Sequence, residues 1–156
     1  MNGNLIIGCL TMAVCLAIQC VILSILLRVL FELKKKQLLQ LTLAGVSFVL
    51  IAVMLGMLAG NLLQMAIWAG LFYACGEFEE FATAFYHSVV NFTTLGYGDF
   101  VMSKGRRLLG ALEAANGVIM FGLTTGFLFA VLSTFIHQAW EKRTAQDAPA
   151  QLGNRG

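Results

Sequence analysis

A chain of 156 residues with 59% hydrophobic side chains, 12% charged ones and a mean hydropathy of +0.83 lies far from the composition of a soluble globular domain. It reads as an all-α membrane protein, with the lipid bilayer as its solvent. A net charge of +2 with scattered basic residues excludes a nucleic-acid partner, and four cysteines inside apolar runs, Cys9, Cys15, Cys20 and Cys75, offer neither a disulfide framework nor a metal-ligand spacing.

The first run, Leu5 to Leu27, holds 23 residues without a formal charge. At about 1.5 Å per residue it spans roughly 34 Å, enough to cross a hydrocarbon core of about 30 Å. Met1 to Asn4 carry no basic side chain and no small-residue cleavage site follows, so the run is a retained helix rather than a signal peptide. Arg28, Lys34, Lys35 and Lys36 close it and hold that end in the cytoplasm. Residues 1–36 are therefore expected to form an N-terminal span with a basic turn.

Gln37 to Gly76 supplies 40 residues with no charged side chain, about twice the length of one crossing. Two crossings would need a turn near Gly56 to Asn61, where Asn61 is the one polar side chain available to the freed backbone groups. The expectation is one crossing that begins as an interfacial helix.

Glu77, Glu79 and Glu80 end that run, and Phe81 to Thr93 follows, helix-like but 13 residues long. This is too short to span, and it reads as a re-entrant helix with an acidic start that suits its positive dipole end. Its carboxyl end feeds into Thr93-Thr94-Leu95-Gly96-Tyr97-Gly98-Asp99. Glycines alternating with larger residues let the backbone flip at Gly96 and Gly98 and turn successive carbonyls to one side, a strip of hard oxygen donors for a cation. The last span, roughly Leu108 to Trp140, is studded with small residues and ends at Trp140, Lys142 and Arg143, an interfacial anchor. Thr144 to Gly156 is expected to be a disordered cytoplasmic tail.

Thr94-Leu95-Gly96-Tyr97-Gly98 resembles the pore signature of potassium channels, with Leu where the usual motif has Val. The order of span, short re-entrant helix, Gly-rich strip and span extends the resemblance over about Leu41 to Ile136. It implies three transmembrane helices with a re-entrant pore helix and a selectivity-filter loop, a pore domain over 37–143, and potassium as permeant ion with no other cofactor. One strip cannot surround a dehydrated ion, so a symmetric oligomer is needed, and the resemblance implies a homotetramer in the cell membrane. Thr94, Leu95, Gly96, Tyr97 and Gly98 would then line the filter, with Asp99, Glu77, Glu79 and Glu80 at the outer mouth. Gly117, beside Asn116, falls near the place of a gating hinge.

Some features depart from that family. There is no arginine ladder for a voltage sensor, no proline between Phe100 and Lys104, and Phe85-Tyr86 stands where relatives carry an aromatic pair with tryptophan. Glu113 is the lone carboxylate inside a span, expected to brace the filter either by hydrogen bonds behind it or by pairing with Arg106 or Arg107, with Asn116 on the same helical face. His87 and His137 stand alone, and His87 is placed to tune pore-helix packing with pH. Two other readings use the same strip: a non-selective channel or accessory subunit, and a protease of G-x-G-D type with Asp99 in a catalytic dyad, for which the only other aspartate is Asp147 in the tail.

Overall fold

The computed structural model describes residues 2–35 and 43–153. Four helices follow in order: α1 (Asn2–Lys35), α2 (Leu43–Ala74), α3 (Phe81–Phe92) and α4 (Arg107–Gly153). Three contain stretches long and apolar enough to cross a membrane, Gly3–Leu33, Ala44–Ala74 and Arg107–Glu141. In lipid a backbone must satisfy its own hydrogen bonds, and uninterrupted helices do so at this length. The protein is an all-α membrane protein.

The ambiguous segment resolves as one crossing. Helix α2 continues through Gly56 and Asn61 without a turn. The interfacial start expected from Gln37 falls on residues 37–42, outside the described ones. At the other end, α4 remains helical to Gly153, which corrects the expectation of a disordered tail from Thr144. Ala145, Gln146, Ala148, Ala150 and Gln151 are good helix formers, and they extend a helix already nucleated in the membrane at the cost of the one hydrogen bond that Pro149 cannot donate.

Helix α1 runs parallel to α4 and antiparallel to α2. Asn4 Nδ2 donates to the Gly105 carbonyl at 2.5 Å, and a Cβ on Gly8 would come 3.2 Å from a Leu109 methyl. Against α2, Gly60 faces Ile22 and Gly56 faces Leu26. Apolar lipid gives helices little reason to associate, so close approach at such small residues supplies the van der Waals contact that holds them. Trp68, Phe72, Phe92, Leu109 and Met120 form the main buried cluster, and Val49, Val53, Met57, Val131 and Phe135 form a second one nearer the basic end of α1.

The tightest approach is made by Gly117. A Cβ built there would lie 1.9 Å from the Phe92 carbonyl oxygen and 2.8 Å from its carbon. Because both are backbone atoms, nothing flexible can move aside. Gly117→Ala is expected to cost about 1–3 kcal/mol or more of stability by overpacking, read as a lower thermal unfolding midpoint of the detergent-solubilised protein. Gly70→Ala, where nothing lies within 4 Å, should leave that midpoint unchanged or raise it.

Candidate functional site

Helix α3 spans 12 residues, about 18 Å, too short to cross a hydrocarbon core of about 30 Å. It stops at Thr93, and the manner of stopping builds the site. Thr94 N–H donates to the Asn91 carbonyl at 2.9 Å, and Leu95 N–H to the Val90 carbonyl at 2.9 Å. These are the two bonds of a Schellman motif, which places Thr94 at the left-handed position that glycine usually fills. Thr94 indeed has φ +59°, and it is the one non-glycine with positive φ among the described residues. Helix α2 ends in the same motif at Gly76 (φ +72°), with Gly76 N–H bonded to Tyr73 and Glu77 N–H to Phe72.

The left-handed geometry then recurs at every second residue, at Thr94 (+59°), Gly96 (+59°) and Gly98 (+78°), while Leu95 and Tyr97 keep negative φ. Sequence reasoning anticipated the two glycines and missed Thr94, whose strain is visible only once the helix end is drawn. A third N–H, of Gly96, also reaches the Val90 carbonyl, at 3.2 Å. The N–H groups of Thr94, Leu95 and Gly96 are thus turned back onto α3, whereas among the described residues the carbonyls from Thr93 to Gly98 accept no hydrogen bond. These residues are exposed in the isolated chain; taken out of water, each carbonyl left unsatisfied would cost about 1–3 kcal/mol, and six would offset most of a stability of about 5–15 kcal/mol, so the strip needs a polar path to face.

Around it the predicted residues divide. Asp99 accepts from the Tyr86 hydroxyl at 2.8 Å and from the Phe100 N–H at 3.1 Å. That bond holds the Tyr86 phenol above its ordinary pKa, because ionising it would forfeit the donor beside a carboxylate. Glu79 and Glu80 are exposed. Glu77 is not a free mouth carboxylate: it accepts from the Ser103 N–H at 2.7 Å and the Ser103 hydroxyl at 2.8 Å, and pairs with Arg106 Nε at 3.5 Å. It straps the loop before α3 to the loop after the strip.

Glu113 is fully buried behind α3. Its oxygens meet the Ser88 hydroxyl and Asn91 Nδ2, the latter at 2.7 Å, and Asn91 also donates to the Gly110 carbonyl at 2.6 Å. Of the two arrangements open to Glu113, hydrogen bonding behind the strip is the one observed, and Arg106 is taken by Glu77. Asn116 does not join it; both its polar atoms are buried without a partner. Sequence reasoning missed Ser88 and Asn91, although their three-residue spacing puts two polar side chains on one face of an otherwise apolar helix. Gly117 lies within unbroken helix, in contact with Phe92.

Residues 61–134, from the second half of α2 into the second half of α4, match the family model described as Ion channel. Over that stretch, just under half of its length, the chain is similar to the ion-channel family. Among curated relatives it is similar to "Potassium voltage-gated channel subfamily A member 2" of Oncorhynchus mykiss, 35% identical over 66 residues. That match covers 42% of this chain and 13% of the relative. It is also similar to "Potassium voltage-gated channel subfamily A member 10" of Homo sapiens, 29% identical over 77 residues, 49% of this chain and 15% of the relative. The chain therefore spans less than a sixth of the length of these relatives. No solved structure matches it significantly.

Two outcomes test this geometry. Replacing Thr94 by Gly should remove about 1–2 kcal/mol of left-handed strain and raise the unfolding midpoint, while deleting the hydroxyl from the strip. His87 offers a pH test. Its Nδ1 lies 3.1 Å from the Phe100 carbonyl and so carries the hydrogen, its Nε2 is buried without a partner, and the rings of Phe78 and Phe72 lie 4.9 and 5.6 Å away. Burial pushes the imidazole below its usual pKa, against the opposing pull of the Phe100 carbonyl, Asp99 and Glu77. The unfolded chain then binds this proton more readily, so stability is whole above the ordinary imidazole value of about 6.5 and falls as pH drops below it, by at most about 1.4 kcal/mol per pH unit. Thermal unfolding of His87→Phe should lack that component of the acid dependence seen in the native chain.

Proposed function

We propose that this chain is the subunit of a potassium-selective channel that conducts passively through a homotetrameric pore in the cell membrane. Residues 37–143 would be the pore domain and 1–36 an added span. The observation that carries the reading is the alternation of left-handed backbone at Thr94, Gly96 and Gly98 in a strip whose carbonyls have no partner among the described residues. Four such strips about an axis replace the hydration shell of an alkali ion with rings of carbonyl oxygens, and the Thr94 hydroxyl adds a ring at the inner end. The exposure of Leu95 and Tyr97, at 54% and 68%, is consistent with side chains that pack against neighbouring copies.

Outside the strip the reading assigns supporting roles. The Tyr86–Asp99 bond and the Glu77–Ser103 strap would hold the outer end of the filter, and Glu113 with Ser88 and Asn91 would hold the pore helix against α4. Asp99, Glu79 and Glu80 would make the outer mouth attractive to cations. Such a protein moves an ion and catalyses no covalent step.

Purified protein in liposomes under a potassium gradient should show flux that barium, a potassium-sized divalent cation, blocks. Gly96→Ala forces a side chain into φ +59° and should reduce that flux to background with the oligomer intact. Tyr97→Asp should lower the preference for potassium over sodium. An assembled oligomer of the native chain that passes no potassium would instead identify an accessory subunit, and an unchanged flux in Gly96→Ala would end the filter assignment.

A further inference from the structure

The seam where α1 meets α2 and α4 is built of polar side chains at the depth of the membrane interior. Gln19, Gln64, Trp68, Asn116 and Cys15 are fully buried, and Asn61 is 4% exposed. Gln64 Nε2 donates to Gln19 Oε1 at 2.8 Å, and Gln19 Nε2 donates to Met57 Sδ at 3.3 Å. The side chain of Cys15 adjoins those of Trp68 and Asn116. Asn61, Gln64 and Trp68 recur at helical spacing on one face of α2, and Cys15 and Gln19 do so on α1.

Five polar atoms in this seam have no partner of good hydrogen-bond geometry: Asn61 Oδ1, Gln64 Oε1, Trp68 Nε1 and both Asn116 Nδ2 and Oδ1, and the group that Trp68 and Asn116 adjoin, the Cys15 sulfur, is only a weak acceptor. Left dry in an apolar interior, they would together cost as much as a domain's folding free energy. Rearrangement of the side chains satisfies only some of them. An indole nitrogen only donates, so it can serve Asn116 Oδ1 but not Asn116 Nδ2.

We propose that the seam holds bound water, forming a buried hydration site keyed by Trp68, Asn116, Asn61 and Gln64 that fastens α1 to the pore domain. The chemistry selects water over an ion. The unpartnered set mixes donors with acceptors and carries no formal charge, so neither a cation nor an anion is matched, while a water molecule both donates and accepts. Positions 61 and 68 lie about 10 Å apart along α2, so the site takes a short file of waters rather than one molecule. The assignment is independent of what the pore conducts.

The chain has two tryptophans, so in a Trp140→Phe background Trp68 is the lone indole. In the full chain reconstituted in lipid, solid-state NMR should show magnetisation passing from water to the Trp68 Nε1–H, and Trp68 fluorescence should be that of a polar site. Asn116→Leu, which fills the seam from α4, should reduce the transfer to background and shift emission to the blue. Cys15→Leu fills it from α1 and serves as the second variant should Asn116→Leu not assemble. Absence of transfer in the unfilled seam, or transfer unchanged in either filled variant, would overturn the proposal.

Discussion

The structure depends on how the short helix α3 ends. A helix terminus leaves its last carbonyls in need of donors, and here the donors come from the chain immediately beyond it. Val89, Val90 and Asn91 accept from the N–H groups of Thr93 to Gly96. Every donor spent in this way leaves a carbonyl of the strip with nothing to accept. The helix end and the oxygen-lined strip are therefore two halves of one hydrogen-bond account: satisfying the first creates the second. The same capping also means that the negative end of the helix dipole is partly covered by these N–H groups, so the strip's carbonyls are the oxygens left unpaired.

The segment that follows the strip is held by side chains from several elements. Tyr86 anchors Asp99, His87 anchors the Phe100 carbonyl, and Glu77 grips Ser103. Asn4 reaches the Gly105 carbonyl from the first turns of α1. Behind α3, Ser88 donates to the Met65 carbonyl of α2 and meets Glu113 of α4, so one hydroxyl ties three helices together. With Asn91 donating to its other oxygen, the Glu113 carboxyl has a polar neighbour at each oxygen inside the helix packing.

Much of this was legible from residue order. Three apolar runs, one run too short to span and a Gly-punctuated strip between them specify the helices because lipid permits so few alternatives. The single crossing over α2 followed from the scarcity of polar side chains near Gly56. Three features were not legible. The left-handed Thr94 depends on where α3 stops, and helix ends are the least determined positions in a sequence. Asn116 looked like a companion of Glu113 by spacing alone, yet it turns toward Cys15 and Trp68, because the partner of a polar side chain is set by which helix packs against it. The helical stretch after Thr144 went against its composition-based reading because a long membrane helix carries its register into residues too polar to nucleate one themselves.

The meeting of Gly117 with the Phe92 carbonyl has a mechanical consequence. Neighbouring residues on α4 lie about 100° around the helix axis from one another, and both neighbours, Asn116 and Val118, carry a Cβ. Turning α4 by one residue would drive that carbon into the peptide unit at the base of the strip. Within its own chain α4 is thereby indexed in azimuth at this level, whereas a Cβ at Gly122 or Gly126 would meet nothing within 4 Å. In the channel proposed above, the contact would act as a fulcrum, letting the lower half of α4 bend or swing without passing torsion upward.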